Sequence, residues 1–267
     1  MFLYREDVVT GAWAISQPSH SWLAWQLASH WGNRRFARPA PRSEVMAAVL
    51  LHDGGWSDFD VAPGIDPEGR PVTFDRMAVG KHLDVWRMSV TRTAIHSRYA
   101  ALLVAAHFAE LAGRKASELL GLGDTGGARS TQAFRAEMER LQDGWIEELK
   151  ADARYADVLE REGRRVNASV LAACDLLSVM LCASMPFQFP VRAITAKGEI
   201  EELKITTDSD RVFKMSPWPF EGTRLKVHCE GRHLRSVRFP SVQAFQEDLV
   251  RARVERLAFE FVRPGSV

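Results

Sequence analysis

The chain has 267 residues, with 35 Lys and Arg against 34 Asp and Glu and a formal charge of +1. That balance leaves no electrostatic footprint for nucleic acid or for an anionic membrane surface. A hydrophobic share of 46% and a charged share of 26% are those of an ordinary folded chain.

The length permits one large domain, or a main domain with a small annex. No apolar run reaches the roughly 18 residues that a bilayer span needs. The first seven residues carry charges where a secretory signal would be apolar. Three cysteines, Cys174, Cys182 and Cys229, form no CxxC pair and fit a reduced compartment. The expected location is cytoplasmic, with no membrane and no nucleic acid as partner.

Residues 1–16 read as a short extended lead-in, Val8-Val9-Thr10 followed by Trp13-Ala14-Ile15. Pro18 and Ser19 suit a helix start, and Leu23, Ala24, Leu27, Ala28 and Trp31 make an apolar stripe over 21–31, closed by Gly32. A basic loop over 33–42 follows, with Arg34, Arg35, Arg38 and Arg42. Ser43 is expected to cap a second helix, whose run Ala47-Ala48-Val49-Leu50-Leu51 ends on His52-Asp53, with Gly54 and Gly55 stopping it.

Residues 54–75 are rich in Gly, Pro and Asp without a clear period, and read as a functional loop forming a wall or lid. Helices are expected over 74–96 and, densely apolar with His107 inside, over 97–112. Residues 121–127 read as a flexible glycine connector. One or two charged helices fill 129–160, with 132–149 a solvated outer helix. The most apolar helix spans 167–182, with Asp175 its only acid, ended by Pro186 and Pro190.

Beyond about residue 192 the pattern alternates or turns β-branched, at 192–206, 212–215, 224–229 and 234–239. A small antiparallel sheet is expected there, then a helix over 241–257 and a last strand at 258–262. The expected architecture is mainly α: a helical body over 1–190, with a small α+β annex over 191–267 packed on it.

Four polar sites sit where helices should be buried: His20, His52-Asp53, His107 and Asp175. A buried imidazole or carboxylate must be paired, hydrogen-bonded or metal-bound. Each has an ordinary reading: a capping His20, a His52 that caps carbonyls, an Asp175 paired with Arg98 or Arg165, a satisfied core His107. Convergence explains all four at once, and mixed imidazole and carboxylate donors suit a divalent transition metal. His96 and His107 on one continuous helix would lie roughly 16 Å apart, too far to share an ion.

His20, then His52-Asp53 ending the next helix, then Asp175 far downstream resemble the His…His-Asp…Asp pattern of the HD superfamily of metal-dependent phosphohydrolases, over about residues 15–185. A longer string is similar to a bacterial family of unassigned function: Gln17-x-x-His20, Leu27-Ala28-x-x-Trp31-Gly32, His52-Asp53-x-Gly55-Trp56, Asp175-Leu-Leu-Ser178 and Pro217-Trp218-Pro219-Phe220.

The HD resemblance implies an HD-like helical bundle. It makes His20, His52, Asp53 and Asp175 metal ligands, and lets His107, or else His96 or His82, serve a second ion or a phosphate. The ion would be Fe, Mn, Zn, Ni or Mg, one or two per chain. Asp53 and His107 are the candidate catalytic groups. Trp56, and less directly Arg34, are candidates for touching the substrate.

The leading expectation is metal-assisted hydrolysis of a small-molecule phosphoester. A di-iron oxygenase and a non-enzymatic ligand-binding protein stay open, as does a homo-oligomer.

Overall fold

The computed structural model describes residues 2–7, 11–185, 189–207 and 209–265, without the side chain of Asp75. The expected Val8-Val9-Thr10 segment and Pro186 lie outside the described residues. In chain order the elements are β1 (Leu3–Asp7), β2 (Gly11–Ile15), α1 (Gln17–Ser29), α2 (Arg42–Leu51), α3 (Ser57–Val61), α4 (Val79–His96), α5 (Arg98–Gly121), α6 (Thr125–Leu149), α7 (Ala156–Leu159) and α8 (Arg161–Cys182). The C-terminal part adds β3 (Val191–Ile194), β4 (Ile200–Thr207), β5 (Val212–Ser216), β6 (Arg224–Leu234), α9 (Val242–Arg251) and β7 (Arg253–Val262).

The expected fold class is corrected by the sheet. Helix makes up 55% of the described residues, and a curled, mixed, seven-stranded half-barrel makes up 20%, which is far more than a C-terminal annex. The strand order is β1-β2-β6-β7-β5-β4-β3, so the N-terminal hairpin completes a sheet whose other strands come from beyond residue 190. The sheet is not purely antiparallel, because β5 runs parallel to β7. Five-residue strands carry too little alternation to announce a partner, and Ala12 pairs with Leu234, more than 200 positions away. The helix expected over 241–257 is cut at Arg251, where the β-branched and alternating run of β7 takes over.

One face of the sheet is apolar and the helices cover it. In β6 the buried Leu225, Val227 and Cys229 alternate with more exposed neighbours, the period-2 signature of a one-sided strand. They join Phe259 and Phe261 of β7, Leu23 and Leu27 of α1, and Leu171, Cys174 and Leu177 of α8 in one core. α1 is also clamped to β6 by polar bonds: Gln26 Nε2 donates to His228 O at 2.7 Å, and His228 N donates to Gln26 Oε1 at 3.1 Å.

α8 is the one described helix long and apolar enough, by length and composition, to cross a membrane. That differs from the sequence expectation that no such run exists. Here 56% of its most apolar window is buried inside the fold, against α1 and α5.

Local chemistry sets the helix ends that matter. Ser16 caps α1, its Oγ accepting from Ser19 N at 3.3 Å, and Pro18 sits in the first turn. α2 starts after Pro41 without a side-chain cap, so Ser43 lies inside the helix instead of capping it. Ser97 separates α4 from α5 and caps the second, its Oγ accepting from Ala100 N. The glycine connector is a tight turn in which Asp124 caps α6, with Gly126 and Gly127 already helical. α6 is amphipathic, burying Phe134, Met138 and Trp145.

Two pieces of the long string meet here. Gly32 N donates to Pro219 O at 2.9 Å, Asn33 Nδ2 donates to Trp218 O at 2.8 Å, and Trp31 packs edge-on against Phe220. Trp31-Gly32 and Pro217-Trp218-Pro219-Phe220 therefore form one tie between the end of α1 and the loop after β5.

Candidate metal centre

Four elements bring their polar residues to one point. His20 sits in the first turns of α1, fully buried. His52 ends α2, and Asp53 follows it into a short turn. Asp175 lies midway along α8 and His107 midway along α5.

The turn after Asp53 is held down on α4. Gly55 N donates to Ser89 Oγ at 2.9 Å, and Arg92 Nη1 donates to Gly54 O. The two glycines are not helix stops in the left-handed region. Gly55 is needed for another reason: a Cβ there would run into the carbonyl of Val85 and the Ser89 hydroxyl.

The nitrogens of the two histidines are assigned by their partners. His52 Nδ1 lies 2.8 Å from Val49 O, and a carbonyl only accepts, so Nδ1 carries the hydrogen. Ser178 Oγ donates to Asp175 O at 2.7 Å, which leaves it to accept from His20 Nδ1 at 2.7 Å. In the neutral form of each ring, Nε2 is thus a bare lone pair. The two Nε2 atoms face each other at 3.3 Å.

The carboxylates complete the ring of donors. Asp175 Oδ1 is 3.1 Å from His52 Nε2 and 3.4 Å from His20 Nε2. Asp53 Oδ2 is 3.3 Å from His20 Nε2 and 3.6 Å from His52 Nε2. Donors about 2.1 Å from a common ion are spaced about 3.0 Å as octahedral neighbours and about 3.4 Å at tetrahedral corners. The observed spacings fit that pattern. One donor atom each from His20, His52 and Asp175 lies within 4.8 Å of the others, a buried group able to hold a metal ion.

The electrostatics are those of a coupled cluster. Burial disfavours the charged form of His52, but Asp53 and Asp175 outweigh it and push the imidazole up to about 9. Burial likewise opposes ionisation of Asp175, yet His52 and His107 hold it well below the usual carboxylate range. Asp53 is lowered in the same sense by His52 and His20, against its own burial. Without an ion, a proton on His52 does the neutralising.

His107 is brought to the edge of this group, its Nε2 3.2 Å from Asp175 Oδ2. That approach is poorly aligned for a hydrogen bond, and both ring nitrogens of this buried side chain lack a hydrogen-bond partner. Its close polar contact is the Asp175 carboxylate. Asp175 is paired with imidazoles and not with arginine: Arg165 pairs with Glu162, and Arg98 with Glu148.

A cavity of about 580 Å³ opens directly onto Asp53, His107 and Asp175. Trp56 and Phe74, from the two ends of the 54–75 segment, line it, while the residues between them do not. His82 lines it too, edge-on to Trp56 at 5.1 Å and Trp86 at 4.6 Å between ring centres. Burial pushes the His82 imidazole down to about 4, so it is neutral at pH 7. His96 points to solvent at the end of α4. Arg34 is not brought to the cluster and lines a separate cleft with Arg35, Arg38 and Trp218.

Sequence reasoning gave no role to Ser178, whose signal was its place three residues after Asp175, one helical turn on. It also missed Trp86 and Phe108, which look like ordinary core residues until the cavity is seen.

No curated protein matches the chain, and no solved structure matches it. One family model does, over residues 3–236, described as a protein of unknown function, DUF3891. The match takes in the whole donor cluster and most of the sheet, and the chain belongs to the DUF3891 family.

Proposed function

We propose that this chain is a metal-dependent hydrolase of a small-molecule phosphoester, with a donor set like that of the HD superfamily. The observation that carries the reading is the close approach of the Nε2 atoms of His20 and His52, 3.3 Å apart and flanked by two carboxylates. Two lone pairs that close repel unless a cation or a proton lies between them. The cavity beginning at the same carboxylates supplies room for a substrate.

His20, His52, Asp53 and Asp175 would hold a divalent ion, with Fe, Mn, Zn, Ni and Mg as the candidates. Bound there, such an ion lowers the pKa of a coordinated water towards about 7 and polarises a phosphoryl oxygen. Asp53, in the lining of the cavity, would accept a hydrogen bond from the attacking water and orient it. His107 holds a proton at Nε2 or Nδ1 for the departing alkoxide, or donates it to a phosphoryl oxygen. The apolar walls keep bulk water from the reacting group.

The test is elemental analysis and an optical spectrum of freshly purified protein, followed by a screen of phosphorylated metabolites with the metal-loaded form. Release of inorganic phosphate, lost in His52→Ala, supports the proposal. An iron absorption band with oxygen uptake and no phosphate release would replace it with an oxygenase. Failure to take up any metal on reconstitution would leave a ligand-binding protein.

A further inference from the structure

We infer that the cavity beside the donor cluster selects a phosphoester whose alcohol half is apolar and carries a ring, in place of a sugar phosphate or a polyphosphate. This rests on the hydrolase reading for the phosphoryl end, while the choice of alcohol is read from the cavity alone.

Beyond Asp53, His107 and Asp175 the apolar part of the lining includes Trp56, Phe74, Met77, Trp86, Phe108 and Leu111. Trp86 and Phe108 are stacked, with ring centres 5.1 Å apart and planes 16° from parallel, so they present a flat apolar surface. His82 adds an uncharged ring edge. The volume of about 580 Å³ equals on the order of twenty waters at about 30 Å³ each, more than a phosphate needs.

Among the described residues, the polar lining apart from the donor cluster is Gln17, His82, Arg114, Lys115, Glu118 and Thr131. Its cationic side chains are Arg114 and Lys115, seven and eight positions beyond His107 on α5 and so about 11 Å farther along the helix. Each is already paired, Arg114 with Glu110 at 3.3 Å and Lys115 with Glu118 at 2.8 Å. Thr131 spends its hydroxyl on Gly127 O at 2.8 Å. A polyphosphate needs several free cations near the reacting phosphorus, and a sugar needs hydrogen-bond partners for each hydroxyl. Among the described residues the lining supplies no free cation next to the donors, and one amide, that of Gln17, against the several partners a sugar's hydroxyls would need. Apolar rings, in contrast, gain by leaving water for such walls.

The experiment compares 2-phenylethyl phosphate with glycerol 1-phosphate, both alkyl esters, using the metal-loaded protein. In parallel, binding of 2-naphthylmethylphosphonate, which cannot be hydrolysed, is followed by quenching of tryptophan fluorescence. The expected result is a kcat/KM for the phenylethyl ester about thirtyfold higher, mostly through KM, the ratio for burying one ring. Phosphonate binding should weaken at least tenfold in Leu111→Asp, with His20, His52, Asp53 and Asp175 untouched.

Should that variant fail to fold, the wild-type preference between the two esters still decides. Equal or better turnover of glycerol phosphate overturns the inference and leaves the hydrolase reading standing. Turnover of neither ester, with tight phosphonate binding, overturns the hydrolase reading and upholds the apolar selection. No turnover and no phosphonate binding overturns both.

Discussion

His20 Nε2 and His52 Nε2 face one another at 3.3 Å, and each ring is fixed from behind, His20 by Ser178 Oγ and His52 by Val49 O. The partner on the far nitrogen sets the tautomer, and the tautomer aims the lone pair. The chemistry of the site therefore depends on a hydroxyl and a carbonyl as much as on the donors themselves.

Removing a donor is the first consequence. His52→Ala and Asp175→Asn should each lose bound metal, measured by mass spectrometry of the purified protein as less than about a tenth of the wild-type content. Breaking a buried charge pair costs about 3–5 kcal/mol when the partner is left behind. His52→Ala strands two carboxylates near α8, so its metal-free melting temperature should fall. Undiminished metal in both variants would remove these residues from the site.

Ser178→Ala acts one step out. The helix keeps its shape, but His20 Nδ1 loses its acceptor and the ring can turn or change tautomer. Metal affinity should drop about 10- to 100-fold, the usual cost of deleting such a support, with far-UV circular dichroism unchanged. Competition against a chelator of known affinity measures it.

Metal uptake should release protons. In the metal-free protein His52 titrates near 9, held up by Asp53 and Asp175 against its burial, so it is charged at neutral pH. An ion needs the neutral imidazole. Binding at pH 7 should expel about one proton, seen as a dependence of the titration heat on the ionisation enthalpy of the buffer. Affinity should rise about tenfold per pH unit and level off near pH 9. A pH-independent affinity from 6.5 to 9 would contradict it.

His82 gives the opposite sign. Its folded-state value near 4 lies below the ordinary 6.5, because burial against Trp56 and Trp86 outweighs the pull of Asp53. The unfolded chain takes up this proton first as pH falls. The stability it contributes is therefore present above about 6.5 and lost between about 6.5 and 4, on the order of 2–3 kcal/mol. His82→Phe should flatten that part of the melting-temperature profile, and an unchanged profile would place the ring in solvent.

Gly55→Ala tests the turn under Asp53. The added methyl has no room against the Val85 carbonyl and Ser89 on α4. Overpacking of this kind costs about 1–3 kcal/mol, and displacement of Asp53 should lower metal affinity as well. Chemical denaturation with a metal titration reads both.

The site was more legible in the sequence than the fold. A histidine or aspartate inside an apolar helix is costly alone, so His20, His52, Asp53, His107 and Asp175 each advertise a need for a partner, and the structure places them together. Arg34 advertised nothing of the kind, since an exposed arginine is satisfied by water, and it lies elsewhere. The sheet stayed hidden because its evidence is spread across the chain. β1 and β2 are short, and their neighbour β6 begins at residue 224. The parallel pairing of β5 with β7 skips over β6 and α9, which no local pattern records. Gly55 misled for a related reason: a glycine after a helix looks like a terminator, while here it makes room for a distant backbone.

The donors of the cluster span residues 20 to 175, on helices that meet only after the chain has closed long loops. An ion gripped by all of them would behave as a reversible cross-link between α1, α2 and α8. It would bind the assembled molecule but find no comparable site on a partly folded one, and so would add about 4 kcal/mol at a thousandfold excess over its dissociation constant. Cellular metal supply would then govern how long this protein survives proteolysis, quite apart from any reaction it carries out.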